Sequence, residues 1–125
     1  MLANPRLFHA GFRSVFHQKD QLPFEASEVY RQRLLIEGLP HMVEGFGRSF
    51  TDAEKFEIPL KNVNVPTLVI AGRHDLIVPL KGSRKAVKTL PRARLLVLDD
   101  SGHCSPEEEP EKVAAAILPF LRSGR

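Results

Sequence analysis

The chain has 125 residues, of which 42% are apolar, and 18 basic against 15 acidic residues give it a formal charge of +3. This length suits one globular domain with a modest core, and no run approaches the 18 apolar residues of a membrane span, so none is expected. The first twenty residues carry scattered basic side chains and no continuous apolar run, so a secretory leader is not expected either. The single cysteine, Cys104, cannot close a disulfide within the chain, which favours a cytoplasmic location.

Residues 1–58 hold most of the aromatic side chains and are predicted to be helical. Ser27 is a candidate N-cap for a helix over residues 27–37, since apolar side chains recur along that stretch and Gly38 follows it. A second helix is predicted over residues 41–57. We treat this half as one unit of the chain.

Residues 59–125 show a strand, helix, strand, helix pattern. The run VPTLVIAG is apolar almost throughout, as is typical of a strand buried on both faces of a parallel sheet, and LLVLDD is a second such run. A polar helix over residues 81–89 separates them. The segment PEEEPEK then opens a final helix with acidic residues at its amino end, which Pro119 is expected to kink or shorten. This order predicts an α/β fold with two parallel strands and flanking helices.

Ionisable side chains follow both predicted strands. Asp75 lies three residues after Gly72, where the first strand ends, and His103 follows the second strand after DDSG. Because neighbouring parallel strands end at the same edge of a sheet, we expect the two side chains to share a hydrogen bond. A carboxylate that orients an imidazole is the arrangement of a general base serving a hydroxyl nucleophile. The alternative for Asp75 is a simple turn cap.

The two segments together resemble the carboxyl-terminal part of the α/β-hydrolase family. GRHDLIVP matches the setting G-x-x-D-x-x-x-P of the family's acid, and SGHCSPEEEPEKV matches the G-H setting of its histidine, in the family's chain order. The resemblance covers residues 65–121. It implies a partial α/β-hydrolase fold, with Asp75 and His103 as catalytic acid and base on an ester or related carbonyl substrate. By position, residues 1–58 are similar to the end of the lid that many members insert above the site.

The nucleophile motif of that family, G-x-S-x-G, does not occur in the sequence. Ser49 in GRSFT comes closest, but Thr51 replaces the second glycine and no buried strand precedes it. Cys104 is interpreted as a packed thiol, because a side chain adjacent in sequence to its own base, His103, rarely reaches it. The chain by itself is therefore expected to be inactive, with a serine supplied from outside it.

The remaining polar groups are given structural interpretations. His74 is interpreted as a loop residue, and Ser101 and Ser105 as polar loop groups. The histidines lack metal-ligand spacing such as H-E-x-x-H, so no metal and no cofactor is predicted. Residues 81–94 carry six basic side chains without aromatic residues between them, which favours a solvated helix face over nucleic-acid contact.

Two hypotheses stay open. In the first, the chain is the lid end and acid/histidine part of a serine-type hydrolase for a small apolar ester-like molecule, completed by a missing amino-terminal half. In the second, it is a truncated, catalytically silent chain that self-associates through an exposed strand edge, because two strands leave unpaired edges. Nucleic-acid binding through residues 81–94 is a third, disfavoured possibility.

Overall fold

The structure of the chain, a computed structural model, describes residues 3–35, 45, 48 and 59–123. None of the helices in these ranges is long and apolar enough to cross a membrane. In chain order the elements are α1 (Pro5–Phe12), 3-10 turns at Arg13–Val15 and Lys19–Gln21, α2 (Phe24–Arg33), a 3-10 turn at Leu60–Asn62, β1 (Thr67–Gly72), α3 (Leu80–Thr89), β2 (Ala93–Leu98), α4 (Ser105–Glu108) and α5 (Pro110–Ser123).

The sheet consists of β1 and β2, which pair in parallel from Thr67 opposite Ala93 to Gly72 opposite Leu98. Helix α3 forms the crossover between them, and it packs against both. The predicted α/β fold with two parallel strands and flanking helices is confirmed. Both strands end at the same edge, so the loops that carry the candidate catalytic residues start side by side.

Burial of the strands differs from the prediction. Both were expected to be buried on both faces, but in β1 only Ala71 and Gly72 are fully buried, and in β2 only Leu98. The physical reason is the size of the sheet: among the described residues no third strand covers the outer edge of either strand. Full burial is confined to the carboxyl ends, where the loops fold over the sheet.

The described residues 3–35 of the amino-terminal half form helices and 3-10 turns, in line with the helical prediction for that part of the chain. Asn4 caps α1, since its Oδ1 accepts the backbone N–H of Leu7 at 3.1 Å, and Pro5 occupies the first turn. An aromatic cluster joins α1 to α2: Phe12 lies 5.5 Å from Phe8, 5.7 Å from Phe16 and 4.9 Å from Tyr30 between ring centroids. Aromatic pairs of this kind contribute about 0.5–1.5 kcal/mol each beyond the area that they bury.

The predicted N-cap at Ser27 is wrong. Helix α2 begins three residues earlier, at Phe24, after Pro23 in an extended conformation. Ser27 is buried inside the helix, where its hydroxyl donates to the carbonyl of Phe24 at 2.7 Å and lies 2.9 Å from Nδ1 of His9. A serine inside a helix satisfies its hydroxyl by bonding back to an earlier carbonyl in this way.

The predicted carboxyl ends of these helices lie partly outside the described residues. Helix α2 ends at Arg33, and residues 34–35 form a turn, whereas the prediction extended to residue 37. The predicted helix over residues 41–57 lies outside the description except for Gly45 and Arg48, which are both helical.

The acidic carboxyl-terminal segment forms two helices where one was predicted. Helix α4 ends at Glu108, because the next residue, Glu109, has a non-helical φ of −135°, and Pro110 then starts α5. Pro119 lies inside α5, and the helix continues past it to Ser123, so of the two predicted effects, a kink or a shortening, the shortening does not occur. Pro119 removes one backbone donor from the fourteen-residue helix, which nonetheless extends four residues beyond it.

Candidate active site

Asp75 and His103 meet at the carboxyl-terminal edge of the sheet, as predicted from the sequence. Asp75 follows β1 by three residues and His103 follows β2 by five, and Nδ1 of the imidazole lies 2.9 Å from Oδ2 of the carboxylate. The Asp75 side chain is 10% exposed and the His103 side chain 41% exposed. The carboxylate therefore lies behind the imidazole, which faces solvent.

Contacts between the backbones hold the two loops together. The N–H of Arg73 donates to the carbonyl of Leu98 at 2.8 Å, and the N–H of His74 donates to the carbonyl of Ser101 at 3.0 Å. The guanidinium of Arg73 also pairs with Asp99 at 2.6 Å. These bonds extend the β1–β2 pairing into the loops, so the spacing of Asp75 and His103 follows from the sheet.

Gly72 permits this close approach. A Cβ at this position would lie 2.1 Å from the carbonyl oxygen of Gly102 and 2.4 Å from that of Ser101. No side chain fits there without moving backbone, so a residue other than glycine would separate the two loops. Gly72 therefore not only marks the end of the strand in the sequence but is also required by the packing of the two loops.

The Asp75 carboxylate is fully engaged. Its Oδ1 accepts the backbone N–H groups of Ile77 and Val78, each at 2.8 Å, while Oδ2 faces His103. Burial by itself would raise the pKa of Asp75, but the N–H of Val78, the His103 ring and the N–H of Ile77 lower it, and the net pKa lies below its usual value. Asp75 is thus held as an anion beside the ring. The turn cap considered as an alternative is present too, on the other oxygen.

The orientation of His103 defines which nitrogen is available. Since Nδ1 faces a carboxylate, the hydrogen bond places the proton there and leaves Nε2 with its lone pair. The backbone N–H of His103 donates to the carbonyl of Val15 at 2.9 Å, so the amino-terminal segment holds this loop as well. The arrangement can accept a proton at Nε2 and stabilise the resulting imidazolium through Asp75.

Cys104 does not have the properties of a nucleophile. The thiol is half-buried, and burial, followed by the carboxylates of Glu107, Glu108 and Asp75, raises its pKa to about 11. It is protonated at neutral pH, and a thiol reacts through its thiolate. This agrees with its interpretation as a packed group.

The other candidates take structural positions. His74 stacks on His17, with ring centroids 3.7 Å apart. Ser101 and Ser105 are buried and bond to each other at 2.8 Å, so the prediction that they are loop groups misses their burial and the position of Ser105 at the start of α4. Ser49 lies outside the described residues.

Two further sequence predictions concern metals and the basic segment. Within residues 3–35 and 59–123 no group of three or more His, Cys, Asp or Glu side chains is arranged to hold a metal ion. The six basic residues of the segment 81–94 are all exposed, which fits a solvated face. The absence of cofactors and of a nucleic-acid partner stays a prediction.

Glu108 is the residue near the site that the sequence analysis missed. Only 4% of it is exposed, and its carboxylate accepts three backbone N–H groups. It stands in a run of three glutamates that resembles the solvated first turn of a helix. The S-x-x-E spacing from Ser105 is a capping signal, but it predicts a bond back to Ser105 rather than to the loop before it.

The chain matches the alpha/beta hydrolase fold family over residues 4–110. It is 32% identical over 96 residues to the uncharacterized hydrolase YugF of Bacillus subtilis, covering 65% of this chain and 35% of that protein. It is 36% identical over 89 residues to the non-heme chloroperoxidase CPO-A1 of Kitasatospora aureofaciens, covering 69% of this chain and 30% of that one.

A solved structure resembles the whole chain. The 2-hydroxy-6-oxo-6-phenylhexa-2,4-dienoate hydrolase of Rhodococcus sp. strain RHA1 superposes with a TM-score of 0.78 at 26% identity, over 97% of this chain and 46% of that one. The similarity therefore includes the amino-terminal helices as well as the sheet. The chain spans about a third of the length of the two curated relatives and just under half of this structure.

Proposed function

The chain belongs to the alpha/beta hydrolase fold family, and from this premise we propose that Asp75 and His103 are the acid and base of a serine-type hydrolase for an ester or related carbonyl compound. The single observation that carries the proposal is the 2.9 Å hydrogen bond between the two side chains, formed by loops that leave neighbouring parallel strands. The substrate class rests on the resemblance of the two motifs to the family, since one fold hosts many reactions.

The proposed mechanism gives each group one task. Nε2 of His103 removes the proton from a serine hydroxyl as its oxygen bonds to the carbonyl carbon of the substrate. Asp75 stabilises the imidazolium that results and keeps Nε2 directed outward. The imidazolium then gives its proton to the leaving oxygen of the ester as the bond between that oxygen and the carbonyl carbon breaks. Water then attacks the acyl-serine in the same way: His103 removes a proton from the water and returns it to the serine oxygen as the acyl–serine bond breaks.

The serine is proposed to lie on polypeptide outside these 125 residues. The sequence contains no G-x-S-x-G, and its relatives extend over two to four times the length that matches. In the same proposal residues 1–58 form the end of a lid and residues 59–125 the carboxyl-terminal part of the core. In support of the lid assignment, residues 15–18 pack against the loop that carries His103. A cytoplasmic location belongs to the proposal too, supported only by the lone cysteine.

A chimera tests the proposal. The part of YugF that precedes its matching segment is joined to this chain, and hydrolysis of a p-nitrophenyl ester is measured. His103→Gln is expected to lower kcat/KM by about a thousandfold or more, because removing the base of a triad removes most of its catalysis. His74→Gln changes another imidazole of the same edge and should stay within about threefold. A folded chimera that is inactive, or that is active without His103, contradicts the proposal.

A second candidate function is a catalytically silent, self-associating chain. It is favoured by the half-buried strands, whose outer edges have no partner among the described residues. Light scattering across a concentration series separates the two candidates. A chain that stays monomeric at about 100 µM, where an interface of micromolar affinity is saturated, contradicts this one.

A further inference from the structure

Glu108 is a buried carboxylate at the end of α4, five residues after His103. Its partners are three backbone N–H groups, one from the nearby loop before His103 and two from the amino-terminal segment. Oε1 accepts the N–H of Gly102 at 2.8 Å, and Oε2 accepts those of His17 at 2.7 Å and Gln18 at 3.1 Å. Charge-assisted bonds to backbone amides compensate the burial of a carboxylate.

The loop before His103 is enclosed by these contacts. A Cβ at Gly102 would meet the nitrogen of His17 at 2.7 Å, the carbonyl oxygen of Val15 at 2.8 Å and Oε1 of Glu108 at 3.2 Å. The next residue, His103, donates its own N–H to the carbonyl of Val15 at 2.9 Å. Two successive peptide N–H groups are therefore held, the first by Glu108 and the second by the amino-terminal segment.

Two further bonds join the same parts of the chain. Nε2 of Gln18 donates to the carbonyl of Asp100 at 2.9 Å, and the hydroxyl of Tyr30 donates to Glu107 at 2.5 Å. Glu108 contacts both the histidine loop and residues 17–18. The amino-terminal segment is thus attached to the backbone that carries the imidazole.

We propose that Glu108 is a positioning residue, which fixes the backbone at residues 102–103 against residues 15–18 so that the imidazole of His103 meets Asp75. This inference rests on the proposed function, because it takes that pair as the acid and base. Glu108 acts through His103 and contacts no reacting atom itself. It also makes the geometry of the base depend on the seating of the amino-terminal segment.

An amide at position 108 cannot replace the carboxylate. Both carboxylate oxygens accept here, whereas a glutamine has one acceptor oxygen and one NH2 donor. In either orientation of the amide, the donor faces an N–H: that of Gly102, or those of His17 and Gln18. Glu108→Gln therefore keeps the shape of the side chain and breaks one of the two links.

Proton NMR of the full chain tests the proposal. A proton shared between Nδ1 of His103 and Asp75 gives a low-field resonance, which Asp75→Asn should remove and thereby identify. Glu108→Gln is expected to lose this resonance. Glu109→Gln, a neighbouring buried carboxylate that pairs with Lys112 instead, is the matched control and should keep it.

The outcomes separate the two proposals. A Glu108→Gln variant that keeps the resonance overturns the positioning role and leaves the acid–base pair standing. An unmodified chain without the resonance overturns both.

Amide exchange in the unmodified chain covers the case in which Glu108→Gln does not fold. The amides of Gly102, His17 and Gln18 are expected to exchange about a hundredfold more slowly than that of the exposed Leu76. Exchange as fast as that of Leu76 at these three amides overturns the proposal.

Discussion

The two oxygens of Asp75 serve different partners, and this division explains why the residue is both a turn cap and a candidate acid. Oδ1 holds the backbone of the turn through Ile77 and Val78, and Oδ2 orients His103. Because the turn fixes the carboxylate, the imidazole binds a group that is already in place. An asparagine keeps the turn and removes the charge, which makes Asp75→Asn the informative substitution at this scale.

The lowered pKa of Asp75 predicts an acid-dependent stability. The folded pKa lies below the ordinary value of 3.8, so the unfolded chain binds more protons in the interval between the two. The stabilisation by Asp75 is complete above that ordinary value and is lost as the pH falls through the folded pKa. Urea unfolding between about pH 2.5 and 6 should show the stability difference between the unmodified chain and Asp75→Asn shrinking at the acid end. A difference independent of pH contradicts the prediction.

The raised pKa of Cys104 predicts that its thiol reacts slowly with alkylating reagents. A shift from 9.0 to about 11 lowers the thiolate fraction at neutral pH, so alkylation by iodoacetamide at pH 7.5 should be about a hundredfold slower than for a free cysteine. In urea, where burial is lost, the rate should return to that of the free amino acid. Fast alkylation of the folded chain would show that the thiol is exposed or ionised.

At the scale of elements, the close contact between the loop after β1 and the loop after β2 requires a position without a side chain. Gly72 ends β1 directly against the carbonyls of Ser101 and Gly102, and the bonds from Arg73 and His74 follow from that contact. The strand pairing therefore continues into the loops, and the register of the sheet determines the relative position of Asp75 and His103.

Two glycine substitutions test this contact as a matched pair. Gly72→Ala should destabilise the chain by roughly 2 kcal/mol or more, because its Cβ would overlap backbone that cannot yield. Gly82→Ala, in α3 with open space around it, should stabilise the chain by about 0.5–1 kcal/mol through helix propensity. Urea denaturation midpoints measure both. Equal effects of the two changes would mean that the contact at Gly72 is looser than the structure shows.

At the scale of the whole molecule, the two-stranded sheet formed by the described residues is too small to bury its own strands. The N–H of Thr67 donates to the carbonyl of Arg92, and the N–H of Arg73 donates to the carbonyl of Leu98. The backbone N–H groups of the odd-numbered residues of β1 therefore point toward β2. In a parallel ladder the even-numbered residues then point their N–H groups to the outer edge. That edge has no partner strand among the described residues, and a strand from another segment or from a second copy could pair there.

Hydrogen exchange along β1 tests the use of this edge. In the monomer the amides of Leu68 and Ile70 should exchange quickly, while those of Val69 and Ala71 are protected by β2. Association, either with a second copy or with an amino-terminal hydrolase segment, should slow exchange at Leu68 and Ile70 alone. Association that leaves them unchanged would place the interface elsewhere.

Sequence patterns were informative where local chemistry determines structure. The apolar runs at β1 and β2, the helix between them and the order of acid before histidine follow from residue types and spacing, and they predicted the meeting of Asp75 and His103. The predicted N-cap at Ser27 is wrong because Pro23 starts the helix earlier and because the buried Ser27 hydroxyl contacts His9 instead.

The sequence by itself determined the strands, the edge at which they end and the residue types placed there, because periodicity and glycine punctuation are local properties of the chain. Tertiary structure alone decided which of three consecutive glutamates holds the amino-terminal segment, since two of the three partners of Glu108 lie about ninety residues away, at His17 and Gln18. It also decided how far the strands are covered, because burial depends on which elements are present to pack against them.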